Sequence, residues 1–157
     1  MKPINTTFAD YEFMVKMFQN ESDRGAAVLA GSYIENYLGQ YLISKMTDTS
    51  VTKDIFSSEG ALSSFSQRID FAQGFGYLAK TQCDELRLIK RIRNHFAHHP
   101  TEASFNDKPV SDWVSNLTPS KTRITSLSGA MNKIDNPRLC YLVSVGILLI
   151  ELNLETN

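Results

Sequence analysis

The strongest constraint on this chain lies near its end. From Leu139 to Leu152 the sequence is apolar, broken only by Ser144, Gly146 and Glu151. The run is too short to cross a bilayer, which takes about 20 residues. It is apolar nearly all round, so as a helix it must be enclosed by other elements. Pro137 provides a favoured first helical position. A chain with such a centre is expected to build a bundle of helices around it.

The rest of the sequence supplies the surrounding helices. Phe8, Tyr11, Val15 and Phe18 recur every three or four residues, which predicts a helix over 8–19. A second is expected from about Asp23 to Met46, with Ser22 or Asp23 as N-cap. Its stripe is Ala27, Ala30, Ile34, Tyr37, Leu38, Tyr41 and Leu42. The small residues Ala26, Ala27, Ala30 and Gly31 would admit a close neighbour. Residues 47–60 read as a polar loop. A third helix is expected from about Leu62 to Leu78, with Leu62, Phe65, Ile69 and Ala72 on one line; Phe71, Phe75 and Tyr77 widen its apolar surface, so it should be largely buried. A fourth runs from about Gln82 to His98, its core arc being Leu88, Ile89, Ile92 and Phe96. Between 101 and 135 Asn, Ser, Thr, Pro and Gly are frequent. That segment reads as a short helix near Ser111–Leu117 and an irregular, partly extended excursion over 121–128. Strand signals are weak throughout. The expected fold is all-α, a bundle of four to six helices in a single domain over 1–157.

Composition narrows the function. A formal net charge of −1 and a pI of about 6.3 argue against coating nucleic acid by bulk charge, though not against a local basic patch. Cys83 and Cys140 sit in apolar stretches without CxxC spacing. They read as buried thiols of a cytoplasmic protein, neither a disulfide framework nor a zinc site. Met1 begins a mixed segment with no charged-then-apolar leader, so neither a signal peptide nor a membrane role is expected.

All three histidines fall together, in Arg93-Asn94-His95-Phe96-Ala97-His98-His99-Pro100, after the basic residues Arg87, Lys90 and Arg91. Histidine exchanges protons near neutral pH. Arginine is a fixed cation whose fork suits phosphate oxygens. Together they are the parts for acid–base chemistry on a phosphodiester, with no metal or other cofactor required. The plainer alternative is a helix end, where basic residues are favoured and Pro100 stops the helix. Asn94 and His98 share a helical face, but Arg93 and His98 are about 140° apart on a straight helix. A helix that ended early, or a symmetric dimer that shared one cleft, would bring them together. Glu35 flanks the stripe of the second helix, where it either reaches Arg93 across a helix pair or stays solvated. Arg68 and Asp70 read as ordinary ion-pair residues.

Arg93-Asn94-x-x-x-His98 resembles the R-N-x-x-x-H motif of the HEPN superfamily, small helical bundles of which many are metal-independent ribonucleases. The wider pattern resembles the mannitol operon repressor family, within or close to that superfamily. It is carried by Ala26 to Leu42, Gly60-Ala61-Leu62-Ser63-Ser64-Phe65-Ser66-Gln67-Arg68-Ile69-Asp70, Gly74-Phe75-Gly76-Tyr77-Leu78, Asp84-Glu85-Leu86, the motif and the closing helix. It spans roughly 20–155. The resemblance implies Arg93 as the residue that stabilises charged phosphate, His98 as general acid or base, Asn94 as the orienting polar group and Glu35 as the carboxylate that holds Arg93. Arg87, Lys90 and Arg91 would then attract an RNA backbone.

Two functions follow as expectations. One is a dimeric, metal-independent endoribonuclease that regulates gene expression, with RNA as substrate and an antitoxin as protein partner. The other is a non-catalytic regulator of a sugar-uptake (mannitol-type) operon. It would act through protein partners such as the transcription machinery, with Arg93, Asn94 and His98 as a structural network. A plain adaptor is a third. No helix-turn-helix signature and no strong basic stripe favour direct reading of DNA.

Overall fold

The computed structural model describes residues 16–18, 20–117 and 136–154. Residues 16–18, the described part of the expected first helix, are helical, and Phe18 is buried. Six further helices follow among the described residues: α1 (Asp23–Ser44), α2 (Thr52–Ile55), α3 (Phe65–Gly74), α4 (Lys80–His98), α5 (Val110–Ser115) and α6 (Pro137–Leu154). No strand occurs among the described residues. The expected excursion over 121–128 lies outside them.

Helix α6 is the centre that its composition demands. No residue from Pro137 to Asn153 is exposed, and Tyr141, Leu142, Val145, Leu148 and Leu149 are fully covered. Helix α1 packs on both α6 and α4. Its small residues Ala26, Ala27, Ala30 and Gly31 are all buried. They are therefore consumed by close helix crossings inside one chain, and no second copy is needed to explain them. The α1 tyrosines are buried with their hydroxyls engaged: Tyr37 donates to Asn153 Oδ1 at 2.9 Å and Tyr41 to the Tyr77 carbonyl at 2.7 Å. Ser22 caps α1 by accepting from Gly25 N–H at 3.0 Å. Arg138, at the start of α6, ties the two helices together. It lies 3.3 Å from Asp23 and donates to the carbonyls of Phe18 and Glu21.

Four expectations need correction. The 47–60 loop contains one helical turn, α2. Helix α3 is shorter than 62–78, because both of its ends are capped. Ser64 and Gln67 form a capping box: Ser64 Oγ accepts from Gln67 N–H at 3.3 Å and Gln67 Oε1 from Ser64 N–H at 2.9 Å. At the other end Gly76 takes φ 70°. Tyr77 N–H donates to the Ala72 carbonyl at 2.9 Å and Gly76 N–H to that of Gln73 at 3.1 Å, a Schellman cap. Nor is α3 largely buried. Phe65, Ile69 and Ala72 face the core, whereas Phe75 is 65% exposed. Cys140 is likewise only partly covered, unlike Cys83.

Gly76 is the one glycine at positive φ among the described residues, a conformation that disfavours a side chain. Gly76→Ala is expected to cost about 1 kcal/mol and to lower the thermal midpoint by a few degrees in a calorimetric scan. An unchanged midpoint would mean that the cap contributes nothing.

Candidate functional site

Arg93 owes its position to a glycine on the facing helix. A methyl group at Gly31 of α1 would lie 2.7 Å from Arg93 Cβ and 2.6 Å from Arg93 Cγ. Only hydrogen at position 31 lets α1 and α4 approach this closely. The guanidinium then meets Glu35, one turn further along α1. Nη2 donates to Oε2 at 2.7 Å, and the two side chains are 21% and 19% exposed. Arg93 Cζ is 5.7 Å from the Phe65 ring centroid, within cation–π range. Arg93 Nε is buried with no hydrogen-bond partner among the described residues. Tyr141 of α6 donates to the Ala27 carbonyl at 2.9 Å. Burial pushes its hydroxyl pKa up, and the nearby Arg93 charge opposes that.

Arg68 was expected in an ion pair, but its donors go to backbone. Nε donates to the Leu62 carbonyl at 2.9 Å and Nη1 to the Glu35 carbonyl at 3.0 Å, with Cζ 5.2 Å from the Phe56 ring. Burial lowers its pKa, partly offset by the Glu35 charge. Glu35 is thus held twice, by Arg93 at its carboxylate and by Arg68 at its carbonyl. Sequence periodicity gave no sign of the second contact, because an arginine that seeks carbonyls leaves no spacing rule.

His98 stands apart. Helix α4 continues through it and is capped at His99, so the helix does not bend His98 back toward Arg93. His98 is exposed and Asn94 half-buried, and neither side chain has a hydrogen-bond partner among the described residues. Within one chain the structure joins Arg93 to Glu35 and leaves His98 on another face.

The three cations expected to meet RNA have partners within the chain. Arg87 lies 2.8 Å from Asp70 and 3.3 Å from Asp84, and donates to Gln73 at 2.8 Å. The Asp70 ion pair is of the ordinary kind expected of that residue. Lys90 donates to Ser66 Oγ at 2.6 Å. Arg91 Cζ lies 5.6 Å from the Trp113 ring centroid.

His95 and His99, outside the motif, form a cluster of their own. Their rings stack at 4.3 Å, His95 meets Trp113 edge-on at 5.5 Å, and His99 Nδ1 lies 2.9 Å from the His95 carbonyl. Burial, then the neighbouring His99, pulls the His95 pKa below its usual 6.5. A depressed histidine pKa means that the folded state binds its proton less readily than the unfolded chain does. The contribution to stability is complete above pH 6.5 and is lost as pH falls through the lower, folded value. Acidification is therefore expected to loosen α5 from α4. The fluorescence of Trp113, the only tryptophan, should titrate below pH 6.5, and His95→Gln should remove that step. A profile flat in the wild type would refute the coupling.

No group of three or more His, Cys, Asp or Glu that could hold a metal occurs among the described residues. No described helix is long and apolar enough to cross a membrane.

No family model matches the sequence, and no curated protein is similar to it. Among solved structures the chain is similar to the X-ray structure of the MtlR–HPr complex from Escherichia coli. The TM-score is 0.68 at 13% identity, over 92% of this chain and 99% of the matched one. What is shared at that identity is the fold, an all-α bundle of the MtlR kind.

Proposed function

We propose that this chain is a cytoplasmic regulator that binds a protein partner of the HPr type and so controls expression of a sugar-uptake (mannitol-type) operon. The observation that carries this reading is the fold likeness, end to end, to a protein solved as an MtlR–HPr complex. The site geometry agrees with a structural use of the motif. Arg93 donates to Glu35 through Nη2 and packs where α1 crosses α4, contacts that serve the bundle itself.

Titrating the purified chain with HPr from the same organism is expected to give a saturable calorimetric isotherm at micromolar concentrations. Deleting the gene is expected to raise transcripts of the operon. A flat isotherm together with unchanged transcripts would overturn the reading.

One observation favours the HEPN-type ribonuclease as a second reading. His98 is exposed with an unengaged imidazole, one turn from Asn94. In that reading a second copy brings its His98 to the Arg93–Glu35 pair, and the imidazole gives general acid–base help of about 10²–10⁴-fold. RNA would be cut in the presence of EDTA by the wild type and not by His98→Ala. Intact single-stranded and structured RNA after incubation with the wild type removes this reading.

A further inference from the structure

The end of α3 carries an aromatic side chain that its local ring contacts leave 65% exposed. The Schellman cap at Gly76 normally brings the residue after the glycine against the last helical turn. Tyr77 accordingly lies 6.3 Å from Phe71, so the cap accounts for those two rings. Phe75 has no such duty. It stacks on Phe71 at 4.3 Å and lies parallel to Tyr77 at 6.1 Å, yet it is the most exposed large apolar side chain among the described residues.

Phe71 and Tyr77 also wall an open groove of about 290 Å³, completed by Leu42, Met46, Val51 and Ile55. Val51 is itself 43% exposed. The volume admits an aromatic ring and lies at the lower edge of the range for small-molecule sites. A projecting ring and an apolar hollow therefore share one surface and two of its residues. Such a surface is complementary to itself, because a twofold axis lets two copies exchange the same contact. The charges around it permit this. The groove holds one lysine, Lys45, and one aspartate, Asp48, and on α4 Arg87 is paired with Asp70 and Asp84. A surface without net sign neither repels its own copy nor attracts nucleic acid or a strongly charged peptide.

We propose that Phe75 of one copy seats in the Leu42–Val51–Tyr77 groove of a second copy, making this face a homodimer interface. It is not the shared cleft that the motif suggests. His98 lies at the other end of α4, about 27 Å along the helix from Lys80, so this twofold leaves the two motifs apart. The proposal does not depend on the HPr reading.

Sedimentation of the full chain over a concentration series tests it. The wild type is expected to pass from monomer to dimer. Phe75→Asp and Val51→Asp should each raise the dimer dissociation constant at least about tenfold. Their thermal midpoints at low concentration should match the wild type, because both side chains are exposed in the single chain. A Phe75→Cys, Val51→Cys double variant should cross-link between copies under mild oxidation, and the wild type should not. A wild type that stays monomeric at every concentration overturns the proposal, as does a Phe75→Asp variant that dimerises like the wild type. If the wild type is monomeric and Phe75→Asp abolishes HPr binding, the groove receives the partner instead, and the homodimer is again overturned.

Discussion

Arg93→Ala is expected to lower the thermal midpoint by about 5–10 °C, whatever else it does. The substitution removes the Nη2–Oε2 contact of 2.7 Å, the packing of the arginine stem against Gly31 and the approach to Phe65. It also strands the Glu35 carboxylate, only 19% exposed, without its cation. Breaking a fully buried pair costs about 3–5 kcal/mol. With both groups about a fifth exposed, solvent screens part of that loss, and about 2–3 kcal/mol is the reasonable range. A chain of this length loses about 2–4 °C per kcal/mol. Arg93→Met keeps the stem and should lose less, and pairing it with Glu35→Gln should recover part of the remainder. A residue held only for catalysis would behave in the opposite way, with activity gone and the midpoint unchanged. A differential scan on Arg93→Ala thus separates a structural arginine from a catalytic one before any substrate is known. A midpoint within a degree of the wild type would sink the structural account.

The sequence disclosed the fold because the apolar spacing of α1, α4 and α6 is dictated by burial. The residues of the α1 stripe are all buried, as the periodicity required. The ends of α3 were less legible. Ser64 and Gln67 spell a capping box, and Gly76 lies just past the end of α3, but the apolar line from Leu62 continued through both signals. Apolar content also misled at Phe75, since no rule of spacing states whether an aromatic beyond a cap turns inward. At the candidate site, helical angles left Glu35 either against Arg93 or in solvent, and the family resemblance implied the first. That Gly31 makes the contact possible was not legible, because it depends on how closely α1 crosses α4. The separation of Arg93 from His98 was plain in the helical geometry. The structure removes one escape from it, by carrying α4 straight through His98.

Gly31→Leu is expected to destabilise the chain by about 3 kcal/mol or more, enough to take the midpoint down by about 10 °C. The smaller Gly31→Ala decides the mechanism, because two effects oppose each other there. Alanine in place of glycine within a helix contributes about 1 kcal/mol in its favour. Against it, the new Cβ would sit 2.7 Å from Arg93 Cβ, 2.6 Å from Arg93 Cγ and 3.1 Å from the Tyr141 hydroxyl. The Arg93 Cβ is fixed by the backbone of α4 and cannot rotate away. The helices must separate, and the packing of Ile34 and Ile89, both fully buried, loosens with them. Overpacking of this kind costs about 1–3 kcal/mol, so the net effect should be a loss despite the better propensity. The double variant Gly31→Ala, Arg93→Ala relieves the contact with Cγ but keeps that with Cβ. It should therefore be less damaged than the sum of its parts, with a coupling of about 1 kcal/mol. Additive losses would mean that the two residues do not share a contact, and a Gly31→Ala chain more stable than the wild type would mean that α1 and α4 stand further apart than described.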